Sequence, residues 1–298
     1  MTNFGAMRGG GRRVVLFARS ARIMANVEPR VVEGFGQEWK KFDHSATSEQ
    51  EERAMFESYF GDFPWASLPP SAEGFDLGCG SGRWARFVAP RVGVLHCIDP
   101  SAEALAVARG KLAELPQCRF HQAAVDAIPL AEASQDYGYS LGVLHHVPDT
   151  QKGLAECVRR LKPGAPFLLY LYYALDNRPW WFRGIWRVSN VLRQAISMLP
   201  FALRSLMADI LAALLYWPLA RMARLAEKLG MRVENLPLSA YRERSFYQMR
   251  NDALDRFGTR LEKRFTRLQV AEMMRAAGLE RVAFRDFPCW CALGYKKN

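Results

Sequence analysis

Short apolar runs separated by helix-like stretches alternate along residues 74–173, and this alternation constrains the fold more than any other feature. A strand that reaches its next partner through a helix pairs with it in parallel, so the segment reads as a parallel sheet with helices laid on its faces. The runs are residues 74–77, 92–99, 118–123, 137–141 and 166–172. Ser101 is placed to cap a helix carrying Leu105, Ala108 and Leu112. Asp149 is placed to cap another, with Leu154, Cys157, Val158 and Leu161 on one stripe before Pro163-Gly164 stops it. Residues 267–278 have amphipathic helix spacing, and residues 280–287 and 291–295 read as two closing strands.

The first run ends in Asp76-Leu77-Gly78-Cys79-Gly80-Ser81-Gly82. Without Cβ atoms such a turn bends sharply and lets a ligand lie against bare backbone N–H groups at a helix start. Dinucleotide enzymes use a related loop spaced GxGxxG, whereas here an acid is followed by GxGxG. Asp99 comes 21 residues after Gly78 and ends the second run before Pro100, where a carboxylate accepts the two hydroxyls of a ribose.

With acid, glycine loop and ribose acid in order on consecutive strands, residues 34–173 and 267–295 resemble the class I S-adenosylmethionine-dependent methyltransferases, in particular the quinone and small-metabolite group. The resemblance implies a Rossmann-like α/β sheet of seven strands, mostly parallel with the last strand antiparallel, and a helical insertion after the fifth. It implies S-adenosylmethionine as cofactor, with Asp76, Gly78, Cys79 and Gly80 around the methionine portion, Asp99 on the ribose and Pro100 against the adenine. The position that normally supplies an acid to the adenine amino group is Ala124 here, with Asp126 two residues later. Backbone at Ala124 and Val125 is therefore expected to meet the adenine. Leu141, opening Leu141-Gly142-Val143-Leu144-His145-His146, is expected on the methionine side.

Displacement at a sulfonium needs little beyond positioning, so a base is optional; His145 and His146, at the carboxyl edge of the sheet, are the candidates. Trp39 lies in a segment that folds over the cofactor in similar enzymes. Strand alternation puts Tyr170 and Tyr172 on one face and Tyr173 on the other, with Tyr172 and Tyr173 as candidate substrate-lining residues. The motif that holds a planar amide or exocyclic amine after the fourth strand is missing, as is the paired-glutamate loop of arginine methylation, which disfavours those acceptors.

Charge divides the rest. The chain carries 41 basic and 30 acidic residues, but residues 31–173 hold 13 and 18 while residues 174–265 hold 16 and 8. The expected organisation is a basic tail (1–30), a cofactor-binding core (31–173), a helical insertion (174–265) and a closing segment (266–298). The insertion, with Trp180, Trp181, Trp186 and Trp217, reads as a lid that is apolar inside and cationic outside, suited to an apolar or anionic small molecule. Its aromatics are not laid out as stacking platforms, which argues against nucleic acid. Its longest uncharged stretch, residues 210–220, is too short to span a bilayer, leaving peripheral membrane contact as a second use and a non-enzymatic binding protein as the rival reading. Six cysteines, without metal-ligand spacing, fit reduced thiols and a cytoplasmic setting with no metal; Cys289 and Cys291 are expected on one strand face.

Overall fold

The computed structural model describes residues 26–43, 45–176, 178–285 and 291–298. Most of the expected tail, and the pairing of Cys289 with Cys291, lie outside the described residues. One seven-stranded sheet organises the chain: β1 (Glu73–Leu77), β2 (Val94–Asp99), β3 (Cys118–Gln122), β4 (Tyr137–Leu141), β5 (Pro166–Tyr170), β6 (Leu279–Arg285) and β7 (Cys291–Lys296). Their order is β3-β2-β1-β4-β5-β7-β6. The first five pair in parallel, and β7 runs antiparallel to both β5 and β6. The expected seven-stranded α/β sheet with an antiparallel last strand is therefore the observed one.

Alternation along the strands divides the core between two faces. Leu168 on β5 joins Tyr137, Tyr139, Leu95 and Cys97 on one side, while its neighbours Phe167 and Leu169 join Phe75 and Ile98 on the other. Helices α1 (Pro29–Lys41), α2 (Glu49–Phe60), α3 (Ala85–Val88), α4 (Ala102–Lys111), α5 (Thr150–Arg160) and α10 (Arg267–Ala276) accompany this sheet. Ser101 and Asp149 are the N-caps the sequence suggests, accepting from the backbone N–H of Ala104 and Lys152. Thr266 and Gln269 close a reciprocal capping box on α10.

The expected tail boundary at residue 30 moves. Asn26 is already buried, its backbone N–H donating to Asp126 and its amide exchanging bonds with the Asp149 backbone, and α1 begins at Pro29. The described N-terminus is thus fastened to the loop after β3 and to the α5 cap rather than left as a tail.

The insertion leaves and rejoins the sheet domain at one place, where Phe265 donates to the Tyr172 carbonyl and Ala174 to that of Phe265. It comprises α6 (Trp180–Ser197), α7 (Phe201–Leu211), a π-turn at Ala212–Tyr216, α8 (Trp217–Lys228) and α9 (Phe246–Gly258). These helices have a core of their own, which Phe42 at the C-cap of α1 joins.

The expected lid polarity holds only in part: the insertion has an apolar core and exposed Arg183, Arg187 and Lys228, but other arginines turn inward and large apolar side chains turn outward. Arg193 and Arg204 turn inward to donate to the carbonyls of Thr259 and Gly258 at the end of α9, where a helix leaves carbonyls without partners. Arg221 likewise bonds the carbonyls of Arg242 and Arg244. Apolar Trp180, Val188 and Leu214 instead face solvent, 72–78% exposed.

Candidate active site

The glycine loop after β1 takes a shape that side chains forbid. Gly78 has φ +78°, and a Cβ there would lie 2.3 Å from Val143; Gly80 has φ +53°, and a Cβ there would lie 2.9 Å from the Trp39 ring. Trp39 on α1 therefore sits over bare loop backbone, stacked on Phe35 with centroids 6.4 Å apart. Asp99, at the end of β2, fixes the loop from the other side. One carboxylate oxygen accepts the Gly80 N–H and the other the Ser101 N–H, both at 2.9 Å. Burial pushes its pKa up to about 6 against those two bonds. Each oxygen keeps a lone pair, so the carboxylate can still accept from a ligand hydroxyl.

Two cavities meet over this loop. The smaller, of about 120 Å³, is lined by Asp99, Pro100, Ala124, Val125 and residues of α1. The larger, of about 1080 Å³, runs from Cys79, Gly80 and Ser81 to the insertion. Phe35, Trp39, Gly78, Leu141 and Gly142 line both, which marks where the two communicate.

Residues distant in sequence line the acceptor end of the larger cavity. Glu38 from α1 meets Asp252 and Asp255 from α9, with Asn251 donating to Glu38 at 2.7 Å. Burial, then repulsion from Asp255 and Asp252, holds Glu38 well above the usual carboxylate range. Burial likewise raises Asp252 and Asp255 to about 6, opposed by Arg83 at the first and by the Tyr172 hydroxyl, which donates to Asp255, at the second. Tyr59, Trp84 and Tyr170 supply aromatic wall, and Arg244 lines the cavity without an ion pair or side-chain hydrogen bond among the described residues. Asp252 and Asp255 stand three apart on α9, but nothing in the sequence links them to Glu38, which only the fold brings to them.

The expected site residues fall into place unevenly. Gly78, Cys79, Gly80, Asp99, Pro100, Ala124, Val125, Leu141, Trp39, Tyr172 and Tyr173 all line one or both cavities. Asp76 does not. It lies beneath the loop, 1% exposed, with one carboxylate oxygen unpartnered and its pKa pushed up to about 8 by burial, opposed by the Tyr139 hydroxyl. Asp126 is occupied by Asn26 and lines neither cavity. Tyr173 lines the larger cavity together with Tyr170 and Tyr172, because β5 ends at Tyr170 and strict alternation ends with it.

Neither histidine lines the larger cavity. His145 is fully buried, stacked on Tyr172 at 3.8 Å, and lines neither cavity. Burial, then His146 and Arg264, push its pKa well down. His146 donates from Nδ1 to the Leu261 carbonyl at 2.7 Å and lines the smaller cavity; burial lowers its pKa to about 4. Both imidazoles are poor proton acceptors there, whereas the aspartates near 6 face the larger cavity.

A family model described as a methyltransferase domain matches residues 75–169, from inside β1 to β5, so it covers both the glycine loop and Asp99. This segment is a class I methyltransferase domain. Its cofactor is S-adenosylmethionine, and the chain's residues fit it: bare backbone at Gly78 and Gly80, a buried Asp99 with spare acceptor capacity, and a buried Ser81 hydroxyl without a partner in the larger cavity. The methyltransferase domain is similar to phosphoethanolamine N-methyltransferase 2 of Caenorhabditis elegans, 36% identical over 116 residues, 38% of this chain and 25% of that protein. It is also similar to 2-phytyl-1,4-naphtoquinone methyltransferase of Thermosynechococcus vestitus, 36% identical over 104 residues, 34% of this chain and 46% of that protein. The chain thus spans less than half the length of either relative. A solved structure, the S-adenosylmethionine-dependent methyltransferase SibL in its apo form, aligns with 83% of this chain and 56% of its own at a TM-score of 0.49 and 14% identity.

Proposed function

We propose that the chain is an enzyme that methylates a small molecule held in the larger cavity, the acceptor having an apolar part and an anionic part. The observation that carries this reading is the meeting of two cavities over bare glycine backbone, with Phe35, Trp39, Gly78, Leu141 and Gly142 common to both. The smaller would take the nucleoside, with Asp99 on the ribose hydroxyls and the backbone of Ala124 and Val125 near the adenine. The sulfonium supplies an activated methyl group and a good leaving group when bound.

The chain's own contribution is position. Holding a nucleophile against the methyl carbon supplies effective concentrations worth ~7–11 kcal/mol, and Phe35 and Trp39 are the aromatic side chains at the junction. Arg244 is the side chain left to meet an anionic group of the acceptor. Where the nucleophile carries a proton, Asp252 and Asp255 are placed to receive it, with Tyr172 orienting Asp255.

Titration calorimetry with S-adenosylmethionine and S-adenosylhomocysteine tests the reading, and absence of heat with both would overturn it. Asp99→Ala removes a ribose acceptor and the anchor of the Gly80 N–H together. We expect it to weaken binding of either ligand by ~1–3 kcal/mol, roughly 5- to 150-fold in Kd. A change under twofold would take Asp99 out of the site.

A further inference from the structure

We infer that the chain docks on anionic lipid surfaces through the outward faces of α6 and of the continuous helix Phe201–Lys228. Both helices are amphipathic the wrong way round for a free lid. On α6 the apolar stripe Trp181, Ile185, Val188 and Leu192, flanked by Trp180 and Val191, points to solvent at 37–78% exposure. Its polar side is the packed one: Arg193 and Ser197 are buried, and Ser189 and Asn190 take hydrogen bonds from Arg256 and Arg193. On the second helix, Leu203, Leu206, Ile210, Leu214 and Trp217 follow each other at spacings of three and four and are 40–72% exposed. The small residues Ser205, Ala208, Ala212, Ala220 and Ala223 face inward.

The uncharged stretch 210–220 is too short to span a bilayer, but the whole helix Phe201–Lys228 is, by length and composition, long and apolar enough to cross one, which corrects the expectation from the sequence. Its inner stripe is nevertheless packed into the insertion core, and Asp209 holds Arg250 with both oxygens and pairs with Lys41. A helix fixed along one side in this way lies on a bilayer rather than through it.

Charge selects the lipid. Between residues 180 and 228 the sequence has two acids, Asp209 and Glu227, and both are bonded to arginines. Arg183, Arg187 and Lys228 are exposed and, among the described residues, take part in no ion pair or side-chain hydrogen bond, so the outward faces carry positive charge beside apolar stripes. A two-fold pairing of two copies across these faces would set like charges against each other, because such an interface meets itself. Phosphate headgroups over acyl chains match both features. The π-turn and α8 also put Tyr216, Arg221 and Arg224 into the larger cavity, so docking would bring the acceptor site against the lipid interface.

Flotation of the full chain with vesicles of phosphatidylcholine, and of phosphatidylcholine mixed with phosphatidylglycerol, decides the matter. The expected result is strong partition to the mixed vesicles, weak partition to the neutral ones, and loss at high salt. Arg183→Gln with Arg187→Gln should lower partition to mixed vesicles by roughly fivefold per charge removed. Val188→Gln with Val191→Gln should abolish it, both variants keeping the wild-type melting temperature and S-adenosylhomocysteine affinity. That affinity reads the methyltransferase site separately, so failure of docking and failure of the enzymatic reading remain distinguishable. A wild-type chain left unbound by mixed vesicles would overturn the proposal. So would variants that bind unchanged, or a wild-type dimer in sedimentation that Val188→Gln with Val191→Gln dissociates.

Discussion

Asp76 combines 1% exposure, an unpartnered carboxylate oxygen and a pKa pushed up to about 8, so the ligand-free chain keeps it protonated near neutrality. A carboxyl whose folded pKa lies above its ordinary 3.8 holds a proton in the fold that it releases on unfolding, so stability falls as pH rises from about 4 to about 8. Asp76→Asn removes that dependence while keeping the shape. The variant should melt with the wild type near pH 4 and progressively above it as pH approaches 8, beyond which the gap stays constant. Parallel melting curves across that range, read by circular dichroism, would show that Asp76 titrates normally. The glycine loop and Asp99 were legible because backbone constraint forces glycine and an acid into fixed places in the sequence. Glu38, Asp252 and Asp255 were not, since the 213 positions between Glu38 and Asp252 carry no periodicity linking them. The histidine pair was legible as a motif, but nothing local in the sequence reveals that the Tyr172 ring stacks on His145.

Among the elements, strands and caps followed the sequence closely because each is set by neighbours within a few residues: β4 occupies the expected residues 137–141, and Ser101, Asp149 and Thr266 cap where helices must begin. The insertion helices are different. Their apolar stripes are plain in the sequence, but periodicity does not say which way a stripe faces, and the ordinary rule that it faces inward fails for α6 and for Phe201–Lys228. Arginines on the packed side make this tenable. Arg193 is 5% exposed and donates from Nη1 to the Thr259 carbonyl at 2.6 Å and from Nε to Asn190 at 2.8 Å, tying α6 to the end of α9. Arg193→Met keeps the apolar stem but leaves buried acceptors without a charged donor, and should cost ~1.5–3 kcal/mol in urea denaturation. An unchanged midpoint would mean that water replaces the guanidinium at no loss.

Over the whole molecule, the sheet domain and the insertion each bury a core, and the larger cavity lies between them. Helix α1 is the element that belongs to both. Trp39 covers the glycine loop, while Phe42, just beyond the last turn, is 1% exposed in the insertion core with its ring 5.3 Å from that of Tyr247. A cofactor that binds the folded state stabilises it by about 2.7 kcal/mol at a concentration one hundred times its Kd, and α1 provides the route by which that stabilisation extends to the insertion. In hydrogen exchange, saturating S-adenosylhomocysteine should therefore slow amides of α7 and α9 as well as those of the glycine loop. Phe42→Ala removes the ring that joins α1 to the insertion while leaving Trp39 and Asp99 in place. In that variant the loop should still gain protection on binding, and the insertion amides should not. Equal protection of the insertion in both proteins would place the coupling elsewhere, in the polar cluster of Glu38, Asn251 and Asp255 between α1 and α9.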